Sequence, residues 1–132
     1  MASQPLILIV DDARDNREGY AEYLRFCGFR VAEAGTGSEA LEKAQRCAPD
    51  VIVLDIRLPD IDGTEVTRRL RAAGLERTAI IAVSACVSRA DVGAAIESGC
   101  DSFLPKPCLP DALVTEINRL LTTHPQKYSR AC

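Results

Sequence analysis

The sequence lacks several features that define other classes of protein. It has no run of about 18 or more uncharged apolar residues, so no segment is expected to span a bilayer. Its first apolar run has no basic segment before it and ends in two acids, unlike a secretory signal. Blocks of lysine or arginine are absent and the formal net charge is -3, which gives little electrostatic reason to bind nucleic acid or anionic lipid. We therefore expect a cytoplasmic protein without membrane insertion and without direct nucleic-acid binding.

Motifs for zinc, disulfide frameworks and nucleotides are also missing. The six cysteines are scattered, with no CxxC pair and no histidine near them that would complete a zinc site. We expect most of them to be small buried residues. The single histidine, His124, lies in a polar terminal segment and is expected to be solvated. No glycine-rich loop ending in Gly-Lys-Ser or Gly-Lys-Thr occurs, which argues against a nucleotide ligand.

The hydrophobic pattern of the 132 residues predicts one α/β domain. Residues 6–10, 51–54 and 79–83 are apolar throughout and rich in β-branched side chains, as is typical of strands buried on both faces of a parallel sheet. Two weaker runs, 29–32 and 102–104, bring the number of predicted strands to five.

Five helical stretches alternate with these strands, and each carries an apolar stripe. The stripes contain Tyr20, Leu24 and Cys27; Ala40, Leu41 and Ala44; Val66, Leu70 and Ala73; Val92, Ala95 and Ile96; and Leu113, Ile117, Leu120 and Leu121. The order predicts a doubly wound (βα)5 domain with a five-stranded parallel sheet. We expect this domain to cover residues 1–122, followed by a short polar tail at 123–132 without an output domain.

Polar residues stand where four of the strands end. Asp11 and Asp12 follow the first strand, Asp55 ends the third, Ser84 ends the fourth and Lys106 follows the fifth. Ligands of open α/β sheets bind outside the carboxyl ends of the strands, so these side chains are expected to share one rim. Any one of them alone could be a solvated loop residue or a helix cap.

The chemistry of this set indicates a magnesium-assisted phosphoryl site. Clustered carboxylates need a proton or cation among them, and oxygen ligands without Cys or His favour Mg²⁺. Lys106 can neutralise phosphate charge and the Ser84 hydroxyl can donate to a phosphoryl oxygen. A carboxylate can itself accept the group as an acyl phosphate. Asp55, alone at the end of the central strand, is our predicted acceptor, since the tandem Asp11 and Asp12 suit metal binding.

With these residues in place, the sequence resembles the receiver domain of two-component response regulators over about residues 5 to 122. Four segments carry the resemblance: residues 9–12 around the acidic pair, 54–63 around Asp55, 83–85 at the serine, and 99–107 up to Lys106 and Pro107. It implies the flavodoxin-like strand order 2-1-3-4-5, and a cis bond between Lys106 and Pro107.

The resemblance also implies how such a domain works. Asp55 would accept a phosphoryl group from a phosphohistidine on a sensor histidine kinase or phosphotransfer protein. Asp12, Asp55, the carbonyl of Arg57 and, through water, Asp11 would hold Mg²⁺. Ser84 and Phe103 would form a switch pair that alters the face made by the fourth helix, fifth strand and fifth helix, where a downstream target would bind. From the sequence, Phe103 fits an ordinary core aromatic equally well.

Two positions depart from the pattern expected for this family. Arg57 places a long cation beside the site, and Cys86 stands two residues after Ser84. Both border the route of the attacking water, so we predict an altered dephosphorylation rate, of undetermined sign.

Two other functions have to be weighed against the switch. The domain could be a binding scaffold that acts without phosphorylation. It could also be an aspartate-nucleophile phosphohydrolase, but those enzymes need a DxD arrangement, which Ala13 interrupts. We therefore expect no enzyme beyond catalysis of its own phosphorylation and dephosphorylation.

Overall fold

The computed structural model describes residues 4–123 and forms five alternating strands and helices. The strands are β1 Leu6–Val10, β2 Arg30–Ala34, β3 Val51–Asp55, β4 Ala79–Ser84 and β5 Ser102–Pro105. The helices are α1 Arg14–Phe26, α2 Gly37–Cys47, α3 Gly63–Ala72, α4 Arg89–Ser98 and α5 Pro110–Thr123. Every strand pairing is parallel and the order is β2-β1-β3-β4-β5, which confirms the fold class and the strand order.

Helices cover both faces of the sheet because successive strand residues point to opposite sides. One core packs Leu8, Ile52 and Ile80 against residues of α2, α3 and α4, among them Leu70. The other packs alternate strand residues such as Ile7 against Leu24 of α1 and the buried residues of α5. The central strands are thus buried on both sides, as their unbroken apolar runs predict.

The second strand lies further along the chain than predicted. Residues 29–32 were expected, but β2 is Arg30–Ala34. Phe29 instead closes the end of α1, since its N–H donates to the carbonyl of Leu24 at 3.0 Å after Gly28 with φ 97°. The observed strand therefore includes Glu33, a charged residue that lies outside the predicted apolar run.

The predicted burial of the cysteines is wrong. Within residues 4–123 only Cys100 is buried; Cys27 and Cys47 are exposed, and Cys86 and Cys108 are partly buried. Cys27 and Cys47 lie at the ends of α1 and α2, where a helix leaves the sheet surface. His124 and the predicted tail lie outside the described residues, except for Thr123, the last residue of α5.

Two predicted stripe positions also differ from the structure, since Ile96 is 47% exposed and Ala73 is exposed. Ala73 falls at the C-cap of α3, while α4 buries the smaller Ala95 and Ser98. No helix among residues 4–123 has the length and apolar character needed to cross a membrane.

Candidate functional site

The acidic pair leaves β1 at the carboxyl edge of the sheet. Asp11 is buried and Asp12 is exposed. The main-chain N–H of Asp11 donates to the carbonyl of Ala34 at 3.1 Å, which extends the pairing with β2 by one residue. One carboxylate oxygen of Asp11 accepts the N–H of Ala13 at 2.9 Å. The side chain of Asp11 is thus oriented by its own loop, with its other oxygen directed elsewhere.

Asp55 ends the central strand β3 and is 5% exposed. Its Oδ1 accepts the N–H of Arg57 at 3.0 Å, and its Oδ2 accepts from the Lys106 Nζ at 3.1 Å. The two oxygens therefore face different partners, one from the following loop and one from beyond β5. The carboxylate of Asp55 is thus fixed at the rim by hydrogen bonds from two separate segments.

Lys106 reaches the site from the segment after β5. Its N–H donates to the carbonyl of Ser84 at 2.9 Å, and the bond to Pro107 is cis. Its Nζ lies 3.1 Å from Asp55 and 3.7 Å from Asp11, with 27% of the side chain exposed. This one ammonium group therefore faces two carboxylates at once.

Three carboxylates meet at this point. Asp11, Asp12 and Asp55 each offer an oxygen, and these atoms lie within 4.8 Å of one another. One ammonium group does not balance three carboxylates, and the ligand atoms are all oxygen. The donor set therefore fits a hard divalent cation such as Mg²⁺.

The pKa values of the central pair reflect this crowding. Burial raises the pKa of Asp55, although the hydrogen bonds from Arg57 and Lys106 and the charge of Lys106 oppose the rise. For Lys106, burial acts to lower the pKa, but the hydrogen bond to Asp55 and the charges of Asp55 and Asp11 outweigh it and raise the pKa. The lysine is therefore a cation at neutral pH, next to a carboxylate whose ionised form is disfavoured by its burial.

Ser84 and Phe103 lie on a cavity of about 280 Å³ beside the carboxylates. The Ser84 Oγ accepts the N–H of Cys86 at 3.1 Å, and Ser84 is 2% exposed. Phe103 is only partly buried, with room next to its ring. The other lining residues come from the loop after β3, from α3, from the loop after β4 and from α4: Ile56, Arg57, Asp62, Thr64, Cys86, Asp91 and Ala94.

The two positions that depart from the family pattern contact each other. The Arg57 guanidinium donates to the Sγ of Cys86, and both residues line the same cavity. The Arg57 side chain thus turns toward the cavity, while its main-chain N–H holds Asp55. Sequence reasoning singled out each residue but not the pair, because no pattern connects positions 29 residues apart.

Three further residues near the site were missed as functional candidates. Tyr20 was expected only in an apolar stripe, yet its hydroxyl donates to the carbonyl of Cys108 at 2.6 Å, beside a cavity of about 450 Å³ that Lys106 also lines. Arg17 and Asp60 hold the loops that carry the acids. Single charged or aromatic residues on helices and loops carry no sequence pattern that marks such contacts.

Fold and site together define a doubly wound α/β protein with an acidic, lysine-bearing rim. Residues 7–118 match the family model described as response regulator receiver domain. The chain belongs to this family, whose members are signalling switches of two-component systems. Most of the chain, including every residue of the rim, falls within the matched segment.

Curated relatives and solved structures agree with this assignment. The chain is 41% identical over 115 residues to the response regulator MprA of Mycobacterium leprae and 39% identical to that of Mycobacterium ulcerans, covering 87% of this chain each time. It spans about half the length of these relatives, 50% and 49%. The chemotaxis protein CheY4 of Vibrio cholerae superposes with a TM-score of 0.86 at 29% identity, covering 90% of this chain and all of that one. A CheY-like receiver domain protein of Methanospirillum hungatei gives 0.89 at 28% identity, covering 95% of this chain and 99% of that one.

Proposed function

We propose that Asp55 is the phosphoacceptor of this receiver domain. The observation that carries the proposal is the contact of its buried carboxylate with Lys106, beside the oxygens of Asp11 and Asp12. The donor would be a phosphohistidine on a sensor histidine kinase or a histidine phosphotransfer protein. The P–N bond of the donor breaks as a P–O bond to Asp55 forms, and the donor ring, protonated on its other nitrogen, keeps that proton and leaves as neutral imidazole.

The transfer needs positioning and charge neutralisation more than acid–base chemistry. Lys106 is close enough to Asp55 to contact an oxygen of the incoming phosphoryl group. Ser84, at the end of the neighbouring strand, can donate its hydroxyl to another of these oxygens. The Arg57 N–H orients the acceptor, which keeps the other carboxylate oxygen directed at the rim. Catalysis by this chain is thereby limited to gain and loss of its own phosphoryl group.

The acidic cluster fits Mg²⁺, and we assign its ligands to Asp12, Asp55, the main-chain carbonyl of Arg57 and, through water, Asp11. When bound, Mg²⁺ would neutralise negative charge that gathers on the phosphoryl oxygens. Asp55 then serves both the metal and the transfer, whereas Asp11 and Asp12 serve the metal alone. Lys106, which follows β5, would add a second positive charge next to Asp55.

Phosphorylation would reach the surface through Ser84 and Phe103. Both residues line one cavity, so a Ser84 hydroxyl drawn toward the phosphoryl group leaves space that the Phe103 ring can enter. Phe103 belongs to β5 and its ring lies on the side of the sheet that α4 covers, so its movement would change the face formed by α4, β5 and α5. We assign that face to a downstream target protein. Direct nucleic-acid binding is not part of this proposal, and the cytoplasmic location stays a prediction from the sequence.

The test is phosphorylation by acetyl phosphate with Mg²⁺, followed by intact mass. We expect one phosphoryl adduct on the wild type and none on Asp55→Asn. Asp62→Asn is the matched control, because this exposed carboxylate lies on the same loop and caps α3 through the N–H of Thr64. No adduct on the wild type, or an adduct on Asp55→Asn equal to that of the wild type, would contradict the proposal. An affinity for the partner that does not change on phosphorylation would instead favour the phosphorylation-independent binding scaffold.

A further inference from the structure

Two loops beside the acids of the site are linked to the chain that leaves β2. The acid loop, residues 11–13, carries Asp11 and Asp12. The acceptor loop, residues 56–62, follows Asp55. The anchor turn, residues 35–38, follows β2 and includes the first two residues of α2.

Arg17 ties the acid loop to β2, just before this turn. Its Nη1 donates to the carbonyl of Asp11 at 2.8 Å and its Nε donates to Glu33 of β2 at 3.2 Å, with 18% of the side chain exposed. Glu33 in turn lies 3.6 Å from Arg25. The guanidinium is therefore held at one end by the edge strand while its other end holds the main chain between the two acids.

Gly35 leaves the space that Arg17 occupies. A Cβ at Gly35 would lie 3.2 Å from the Arg17 Nη1, tighter than ordinary contact. The Gly35 N–H donates to Glu39 at 2.7 Å, which fixes the turn against the first residues of α2. The close approach of the guanidinium thus depends on the absence of a side chain at this position.

Asp60 ties the acceptor loop to the other side of the turn. Its two carboxylate oxygens accept the N–H groups of Gly37 at 2.7 Å and Ser38 at 3.0 Å. These hydrogen bonds, from Ser38 and then Gly37, hold the pKa of Asp60 well below its usual range. A Cβ at Gly37 would lie 3.0 Å from the Cβ of Ile61, so this glycine too permits a close approach.

We propose that the anchor turn fixes the acid loop and the acceptor loop relative to each other, with Arg17 and Asp60 as positioning residues, and so sets the affinity for Mg²⁺. The inference rests on the proposed magnesium site. Neither residue reaches the metal; each holds main chain or loop that carries a ligand. Groups that orient metal ligands from outside commonly change metal affinity about 10- to 100-fold when removed.

The measurement is the Mg²⁺ dissociation constant of the whole chain by isothermal titration calorimetry. We expect Arg17→Ala and Asp60→Ala each to weaken binding about tenfold. The sign for Arg17→Ala is decisive, because loss of a nearby cation by itself would strengthen Mg²⁺ binding. Arg14→Ala is the control: it removes the same charge from the same helix, but Arg14 pairs with Glu18 and its side chain is 77% exposed.

Two further variants distinguish positioning from general damage. Gly35→Ala keeps every donor and acceptor but crowds the guanidinium, so we expect weaker Mg²⁺ binding with little change in urea unfolding. In the double variant of Arg17 and Asp60, the loss should be smaller than the product of the single losses, because releasing either loop already frees the pair.

The inference is overturned if Arg17→Ala binds Mg²⁺ as tightly as the wild type, if Arg14→Ala loses as much affinity, or if the two losses multiply. A wild-type chain that binds no Mg²⁺ would overturn the proposed magnesium site as well. Losses of Mg²⁺ affinity that are confined to the variants of Arg17, Asp60 and Gly35 support the role given to the anchor turn.

Discussion

Two partly buried cations, Lys106 and Arg71, have different surroundings at opposite edges of the sheet. At the carboxyl edge, Lys106 faces Asp55 and Asp11 through a single ammonium group. At the amino edge, the Arg71 guanidinium donates to the carbonyls of Gly99 at 2.7 Å and Thr78 at 2.7 Å. The first region leaves negative charge in excess, while the second matches donors to fixed acceptors.

The Arg71 junction connects three segments of chain. Arg71 also donates to the carbonyl of Leu75 and to the carboxylate of Asp101 at 2.9 Å. Gly99 makes this possible, since its φ is 118° and a Cβ there would lie 2.9 Å from the Arg71 Cγ. The comparison teaches that the amino edge has its charged and polar groups matched by hydrogen bonds, while the carboxyl edge keeps an excess of negative charge.

The largest expected effect is on the junction. Arg71→Ala leaves partly buried carbonyls without their donor and removes the cation paired with Asp101, so we expect the free energy of unfolding to fall by about 3 kcal/mol. Urea denaturation measures it. Arg68→Ala, on the same helix but paired with Glu65 at the surface, should change it by less than about 0.5 kcal/mol. Equal losses in both variants would contradict the role given to the junction.

Cysteine labelling compares the two regions directly. Cys100 is 5% exposed near the junction, where burial raises the pKa of its thiol, while Cys86 is partly exposed at the rim. We expect iodoacetamide to modify Cys100 at least about 100-fold more slowly than Cys86 in the native protein, and at similar rates in urea. Peptide mass spectrometry gives both rates, and equal native rates would show that the junction opens readily.

Relief of the crowded acids should stabilise the chain. The raised pKa of Asp55 means that its charged form is disfavoured by folding, so Asp55→Asn without Mg²⁺ should raise the free energy of unfolding by about 1 kcal/mol. Urea denaturation in chelator measures the gain, and saturating Mg²⁺ should cancel or reverse it. An unchanged or lower free energy of unfolding in chelator would mean that the charge of Asp55 is not disfavoured in the folded protein.

The smallest effect concerns the contact of Arg57 with Cys86. We expect Arg57→Ala and Cys86→Ala each to change the lifetime of phosphorylated Asp55 a few-fold in the same direction, with the double variant no further changed, since either one breaks the contact. Loss of the phosphoryl group over time, read by intact mass, measures this. Lifetimes equal to that of the wild type would discard any role of these two residues in hydrolysis.

The apolar runs at β1, β3 and β4 made the fold predictable, because short apolar segments rich in β-branched residues are typical of strands covered on both faces. Phe29 shows where this reasoning stops: the same residue suits a strand or a helix end, and the hydrogen bond to Leu24 decides between them. The prediction that Cys27 is buried was wrong for a related reason. A periodic apolar stripe does not show at which residue a helix ends, and Cys27 lies at the exposed C-cap of α1.

Part of the candidate site was also within reach of the sequence. Asp11, Asp12, Asp55, Ser84 and Lys106 could be grouped because parallel strands bring their carboxyl ends to one edge. The contact of Arg57 with Cys86 and the hydrogen bonds of Asp60 could not be predicted, because each joins segments more than 20 residues apart that only the tertiary fold brings together.

The sequence by itself determined the three central strands and which acids and lysine stand at the carboxyl edge of the sheet, because hydrophobic pattern and strand direction are local properties of the chain. Only the tertiary structure decided how closely these groups meet and which cation each carboxylate faces. It also decided that Arg17 packs closely against Gly35 and Ile61 closely against Gly37. Those outcomes depend on distances of a few ångströms between segments far apart in sequence, and packing alone sets them.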